Sequence, residues 1–290
     1  MSEKQEGCNH DCAHCASKSQ ECEDEQKLTA VLAAIQHKIV VLSGKGGVGK
    51  STVAVNLAYG LAAKGAKVGL LDVDFHGPSI PTMLGLTGES VYQVDDRILP
   101  VEKGDVKVIS VNFFLPDNDS AVIWRGPMKY GVIKNFLKDV AWGELDYLVV
   151  DCPPGTGDEP LGVCQTLQGD IEAVLVTTPQ EVAAADVRKS LNFCNQLKLP
   201  IIGVIENMSG FVCPHCGGLT YIFNQGGGEK LAKEAGIPFL GRIPIDPTIG
   251  VSGDEGVPFM DEKSESPSVR AFWPVVEAVM NATHFIPAKA

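Results

Sequence analysis

The chain is short of basic residues. Its 24 lysines and arginines stand against 36 aspartates and glutamates, for a formal net charge of −12. Nucleic acids and anionic membranes are gripped by clustered Lys and Arg, so neither is an expected partner. Long apolar runs are missing as well: no stretch reaches the roughly 18 residues that a membrane-spanning helix needs. The acidic, cysteine-bearing start is unlike a secretory signal, and the cytoplasm is the expected compartment. Residues 1–26 almost lack large apolar side chains. Such a segment does not fold around a core, so order there requires a metal or a partner. No internal repeat and no low-complexity linker follows it. What remains is ample for a core, since 44% of the 290 residues are apolar.

The expected organisation is a Cys-rich extension, residues 1–26, followed by one α/β domain over 27–290. Residues 27–36 read as a short helix. Then apolar runs alternate with helical patterns. Strands are expected at 38–43, 66–73, 106–111, 147–150, 171–177, 201–205 and 239–243. Helices are expected at 50–64, 130–140, after Glu159, and at 181–197, 227–235 and 269–282. Continuous apolar strands alternating with helices predict a mostly parallel, doubly wound sheet covered on both faces.

Gly44-Lys-Gly-Gly-Val-Gly-Lys50-Ser51 fits Gly-x4-Gly-Lys-Ser and lies between an expected strand and helix. Glycines let the backbone turn its N–H groups toward phosphate oxygens, and the helix N-terminus adds its positive dipole end. The predicted nucleotide-binding set is Gly44, Lys45, Gly46, Gly47, Val48, Gly49, Lys50, Ser51 and Thr52. Lys50 is expected on the β- and γ-phosphates of ATP and the Ser51 hydroxyl on Mg2+.

Three aspartates end expected strands. Asp72 and Asp74 close Leu-Leu-Asp-Val-Asp, where period-two alternation puts both on one face. Asp151 closes Leu-Val-Val-Asp and is expected to bind the water shell of magnesium. Ligands of open α/β sheets bind at the carboxyl ends of strands, where all three lie. The loop Cys152-Pro-Pro-Gly-Thr-Gly-Asp-Glu159 reads as a switch segment, with the Gly155 N–H available to a γ-phosphate.

Nine cysteines are many for a chain in a reducing compartment, where clustered thiols are more often metal ligands than disulfides. Cys152, Cys164 and Cys194 are scattered in apolar surroundings. Cys213-Pro-His-Cys216-Gly-Gly offers two thiolates on a tight turn, half of a four-ligand site. The other half comes from elsewhere in the chain or from a second copy across a two-fold axis. Ligand chemistry alone suits zinc and iron–sulfur equally. No thioredoxin-type helix start follows, which argues against a redox pair. Cys8, Cys12, Cys15 and Cys22 are enough for one 4Fe–4S cluster within a single chain, with His10 and His14 interspersed as zinc ligands in the rival reading.

With its second lysine, Lys45, the phosphate loop resembles the deviant P-loop ATPases of the MinD, ParA, nitrogenase-iron-protein and arsenite-pump group. That resemblance implies a homodimer in which Lys45 reaches the partner's phosphates. It also assigns Asp74 to the attacking water and Asp72 to the magnesium side; Lys45, Lys50 and Asp74 form the expected catalytic set.

Several long motifs occur in order. They are Asp72-Val-Asp-Phe-His-Gly-Pro-Ser-Ile-Pro81, Asp151–Glu159, Gly203-Val-Ile-Glu-Asn-Met-Ser-Gly-Phe-Val-Cys-Pro-His-Cys-Gly217 and Gly241-Arg-Ile-Pro-Ile-Asp-Pro247. Over about residues 28–285 the chain resembles the Mrp/ApbC family of P-loop iron–sulfur carriers. Its N-terminal cysteines are similar to those of the family's eukaryotic cytosolic scaffold branch. The resemblance implies an ATP-binding homodimer bridging a labile 4Fe–4S cluster through Cys213 and Cys216; the site reads as the ATPase of a conformational switch, so hydrolysis is expected to be slow. Apo iron–sulfur proteins are the implied clients. It also implies that Asn207 recognises adenine and that Pro244 helps close the base pocket. Two rival functions are an ATP-driven electron donor of the nitrogenase-iron-protein type and a MinD- or ParA-like positioning ATPase. The second calls for a basic amphipathic C-terminal helix, whereas residues 269–281 read as a core-packing one.

Overall fold

The computed structural model describes residues 20–75, 77–115, 126–260 and 266–286. The first helix, α1 (Gln20–Ala33), starts seven residues before the expected position and stops sooner. Tertiary contacts explain the early start: Asp24 pairs with Lys138 at 2.9 Å and Glu25 with Lys134 at 3.2 Å. The chain then enters β1 (Ile35–Ser43), α2 (Lys50–Ala63) and β2 (Val68–Asp72), with a short helix α3 (Ile80–Met83) beyond.

Between β2 and the expected strand at 106–111 lies a segment for which the sequence predicts no elements. It holds the hairpin β3 (Tyr92–Val94) and β4 (Arg97–Leu99), then β5 (Val101–Lys103); β6 (Val106–Ser110) follows where a strand is expected. The hairpin turns through Asp95 and Asp96, both at positive φ (46° and 61°), a conformation that aspartate tolerates better than most residues. Next come α4 (Gly126–Lys138), β7 (Leu145–Asp151), α5 (Asp158–Leu167), β8 (Ile171–Thr177), α6 (Glu181–Leu197) and β9 (Ile201–Glu206). A two-stranded excursion, β10 (Phe211–Val212) and β11 (Leu219–Thr220), precedes α7 (Gly227–Ala235), β12 (Phe239–Arg242), α8 (Pro247–Asp254) and α9 (Pro267–Ala282).

Eight strands form one sheet in the order β12-β9-β8-β1-β7-β2-β6-β5. Every pairing is parallel except that of the edge strand β5 with β6. This is the doubly wound sheet that the alternation predicts. Strand β1 sits in its middle, and its alternate residues feed two cores. Val40 and Leu42 face the layer that includes Leu28 of α1, Ile133 of α4 and Val163 of α5. Ile39 and Val41 face Leu57 and Leu61 of α2 and Phe272 and Val276 of α9. Each such fully buried Leu contributes about 1.5–3 kcal/mol of transfer free energy. The C-terminal helix is thus a core element, as its sequence predicts. No helix among the described residues is long and apolar enough to cross a membrane.

Candidate nucleotide and thiolate sites

The phosphate loop joins β1 to α2 at the carboxyl edge of the sheet. Gly47 and Gly49 take φ values of 77° and 81°, in the left-handed region that favours glycine. Gly44 is fixed by a close approach, because a Cβ there would fall 2.2 Å from the Asp186 carbonyl oxygen of α6. The loop borders a cavity of ≈310 Å³ lined by Lys45, Gly46, Gly47, Gly49, Lys50, Ser51 and Thr52, with Asp74, Ser79 and Pro154 opposite. Lys45 is half-buried there and forms no ion pair among the described residues.

Parallel pairing places Asp72 and Asp151, the last residues of β2 and β7, side by side, both with no exposed surface. Lys50 Nζ donates to Asp151 Oδ1 at 2.5 Å. Burial opposes the Lys50 ammonium, but the Asp151 carboxylate outweighs it and raises the lysine pKa. Asp151 Oδ2 is buried without a hydrogen-bond partner; burial raises the Asp151 pKa, against the opposing pull of Lys50 and of the nearby Ser51 hydroxyl. An orphaned carboxylate oxygen beside a hydroxyl is a hard-oxygen donor set that fits magnesium.

Asp72 accepts from Ser110 Oγ at 3.0 Å and from the Asp74 N–H at 3.1 Å. Burial, then the neighbouring Asp151 charge, pushes its pKa up to about 8. Asp72 does not line the cavity, whereas Asp74, two residues on, does. The Gly155 N–H, expected on a phosphate, donates to the Ser43 carbonyl at 2.9 Å and holds the loop after β7 against the end of β1.

Two buried charged groups near this edge are not among the expected site residues. Lys129 of α4, 7% exposed, pairs with Glu159 at the start of α5 and lies 5.5 Å over the ring of Phe75, the residue after Asp74. Glu206 ends β9, fully buried, and accepts from Ser209 Oγ at 2.6 Å. A single charged residue inside a helix or strand has no periodic signature, and only the partner reveals its role.

Asn207 is buried, and its side-chain amide donates to the Val48 carbonyl of the phosphate loop at 2.9 Å. Pro244 is half-buried beyond β12, its carbonyl accepting from Ser268 Oγ at 3.1 Å. Neither lines the 310 Å³ cavity.

Cys213 and Cys216 sit on the turn between β10 and β11. The Gly217 N–H closes it on the Cys213 carbonyl at 2.8 Å, and the Cys213 N–H bonds the Gly218 carbonyl at 3.0 Å. Backbone N–H groups of His215 and Cys216, then the Cys216 thiol, point at the Cys213 sulfur and lower its pKa. Such a turn presents a thiolate ready to bind a soft metal. Cys213 is half-buried and Cys216 exposed, and Leu219, Tyr221, Ile222 and Phe223 beside them are exposed apolar side chains. Among the described residues no third or fourth ligand completes a metal site.

Cys22 is 4% exposed in the first turns of α1, while Cys8, Cys12 and Cys15 lie outside the described residues. Cys152, Cys164 and Cys194 are core thiols. Burial pushes Cys152 well above its ordinary range and the other two to about 12, so none is poised to react.

Residues 34–280 match the ParA-group family described as NUBPL iron-transfer P-loop NTPase. An iron-sulfur cluster carrier protein of Methanocaldococcus jannaschii is 51% identical over 262 residues, 87% of this chain and 90% of its own length. The cytosolic Fe-S cluster assembly factor NUBP2 of Rattus norvegicus is 50% identical over 262 residues, covering 89% and 96%. Among solved structures, a nucleotide-binding protein of Archaeoglobus fulgidus in complex with ADP aligns with a TM-score of 0.72 and 44% identity, over 80% of this chain and 91% of that one. MinD of Pyrococcus horikoshii with Mg-ADP aligns at 0.68 and 26%, over 88% and 99%. With that coverage and those site residues, the chain belongs to the NUBPL-type family of iron-transfer P-loop NTPases.

Proposed function

We propose that this chain is an ATP-dependent iron–sulfur cluster carrier or scaffold that works as a homodimer. The observation that carries the reading is the half-site. Two accessible thiols stand on a rigid turn whose N–H groups favour the thiolate, and among the described residues no further ligand joins them. A second copy related by a two-fold axis brings the two missing thiolates, and the exposed apolar side chains next to the turn suit such a contact. The cargo is a 4Fe–4S cluster held by Cys213 and Cys216 of both copies and passed to apo-proteins. Cys8, Cys12, Cys15 and Cys22 hold a further cluster in each N-terminal segment. The protein works in the cytoplasm.

ATP occupies the phosphate loop. Lys50 binds the β- and γ-phosphates, and Lys45 reaches the phosphates of the partner copy. Asp74, which lines the cavity, orients the attacking water. Ser51 and Asp151, with Asp72 behind them, hold magnesium, which when bound neutralises phosphate charge. Gly155 exchanges its bond to Ser43 for one to the γ-phosphate, so the loop after β7 senses the nucleotide. Asn207 and Pro244 border the adenine. Hydrolysis is slow and serves to change the stance of the two thiolate turns, which tightens or releases the cluster.

The test is reconstitution with iron and sulfide followed by transfer to an apo 4Fe–4S enzyme. Wild type transfers activity, and the Cys213→Ala, Cys216→Ala double variant does not. Full transfer by the double variant would remove the thiolate turn from the mechanism.

A further inference from the structure

We infer that Glu206 is the positioning residue that ties the Cys213–Cys216 turn to the phosphate loop, so that the stance of the turn follows the nucleotide. The inference rests on the carrier reading and assigns its control to one carboxylate.

After Glu206 the chain leaves the sheet, runs out through β10 and β11, and returns at Gly226 to start α7. Both ends of this excursion are held by the same side chain. Ser209 Oγ, on the outgoing limb, donates to Oε1 at 2.6 Å. On the returning limb the Gly226 N–H donates to Oε1 at 3.1 Å and the Gly228 N–H to Oε2 at 2.7 Å. Arg242 Nε stands 3.4 Å from Oε1. The packing is tight, since a Cβ on Gly228 would fall 3.1 Å from Glu206 Cβ and 2.8 Å from Thr177 Cγ2. A fully buried carboxylate with this many donors does not shift independently of them.

The adjacent residue faces the other site. Asn207 Nδ2 holds the Val48 carbonyl at 2.9 Å, and a Cβ on Gly49 would fall 2.2 Å from that same nitrogen. The phosphate loop and Asn207 therefore move together, and one planar peptide separates Asn207 from Glu206. The outgoing limb is also zipped to the segment around Pro244. The Ser209 N–H bonds the Ile243 carbonyl at 2.8 Å, and the Ile245 N–H bonds the Gly210 carbonyl at 2.7 Å. A displacement of the phosphate loop is delivered to the base of the thiolate turn, and Glu206 converts it into a movement of both limbs as one body.

The experiment uses the full chain and two readouts. The first is amide hydrogen exchange of metal-free protein with and without Mg-ATP. The second is release of the reconstituted cluster to an iron chelator under the same conditions. In wild type, ATP changes protection at Gly226, Gly228 and the turn, and alters release by about fivefold or more. Glu206→Gln keeps nucleotide binding and cluster content, but its response to ATP falls below about twofold in both readouts. Glu206→Asp, which keeps the charge, recovers part of the response. Ser209→Ala removes only the outgoing contact and weakens the response even if Glu206→Gln does not fold. The inference is overturned if Glu206→Gln or Ser209→Ala responds to ATP as wild type does. It is equally overturned if ATP changes release in wild type while the Gly226 and Gly228 amides stay indifferent. Wild-type release that ignores ATP would instead remove the nucleotide control on which the carrier reading depends.

Discussion

Lys50 and Asp151, 101 residues apart in sequence, meet at 2.5 Å in a place almost without solvent. The pair joins the phosphate loop to the strand that ends beneath it. Breaking such a pair from one side leaves a buried charge uncompensated, at a cost of about 3–5 kcal/mol. Lys50→Ala is therefore expected to lower stability by about that amount in urea titration and to weaken ATP binding by about tenfold or more, measured by calorimetry. Lys50→Ala, Asp151→Asn recovers much of the stability but none of the binding. Full binding by Lys50→Ala would remove the phosphate role from this lysine.

Asp72 gives a pH dependence. Its carboxyl, ordinarily near 3.8, is raised to about 8 by burial and by Asp151. Between those values the folded protein holds a proton that the unfolded chain has released, so this group makes stability fall as pH rises. Asp72→Asn does not titrate. The stability of the variant relative to wild type is expected to grow from pH 5 to pH 8, with a slope of at most about 1.4 kcal/mol per pH unit. Urea titrations of nucleotide-free protein across that range measure it. A difference that stays flat would show that the carboxyl is ionised throughout.

Two glycines of the phosphate loop differ in what surrounds them. A Cβ on Gly44 would lie 2.2 Å from the Asp186 carbonyl oxygen, whereas on Gly46 its nearest neighbour is Pro154 Cγ at 4.0 Å. Gly44→Ala is expected to cost about 1–3 kcal/mol in thermal or urea unfolding. Gly46→Ala is expected to change stability by less than about 0.5 kcal/mol. Equal effects would mean that α6 yields to the added methyl.

The layering and the nucleotide edge were legible in the sequence because both rest on local pattern. Continuous apolar strands such as 171–177 and the Gly-x4-Gly-Lys-Ser spacing need no tertiary information. What escaped is what long-range contacts decide. The early start of α1 depends on Lys134 and Lys138, more than a hundred residues away. Strands of two or three residues, as in β3–β4 and β10–β11, are too short for a period to register. Helix α8 is not among the expected elements, although the sequence signals its start. Asp246 caps it through the Thr248 N–H at 2.9 Å and Pro247 takes its first turn, but the Gly- and Ser-containing segment that follows lacks a strong apolar stripe. Lys129 lies in no motif, and Glu206, though inside the Gly203–Gly217 motif, is not among the expected site residues; what each does depends on the partners that the fold supplies. Asn207, expected at the base, meets the phosphate loop itself.

In the proposed carrier each chain supplies half of a cluster site, and native mass spectrometry of protein reconstituted anaerobically with iron and sulfide counts what the assembled site holds. The account predicts a dimer that carries one bridging cluster of about four iron and four sulfide in addition to any held by the N-terminal cysteines. It also predicts that Cys213→Ala, Cys216→Ala loses the bridging cluster alone. A dimer holding about one zinc and no iron at that position would contradict the account, as would a double variant with undiminished cluster content.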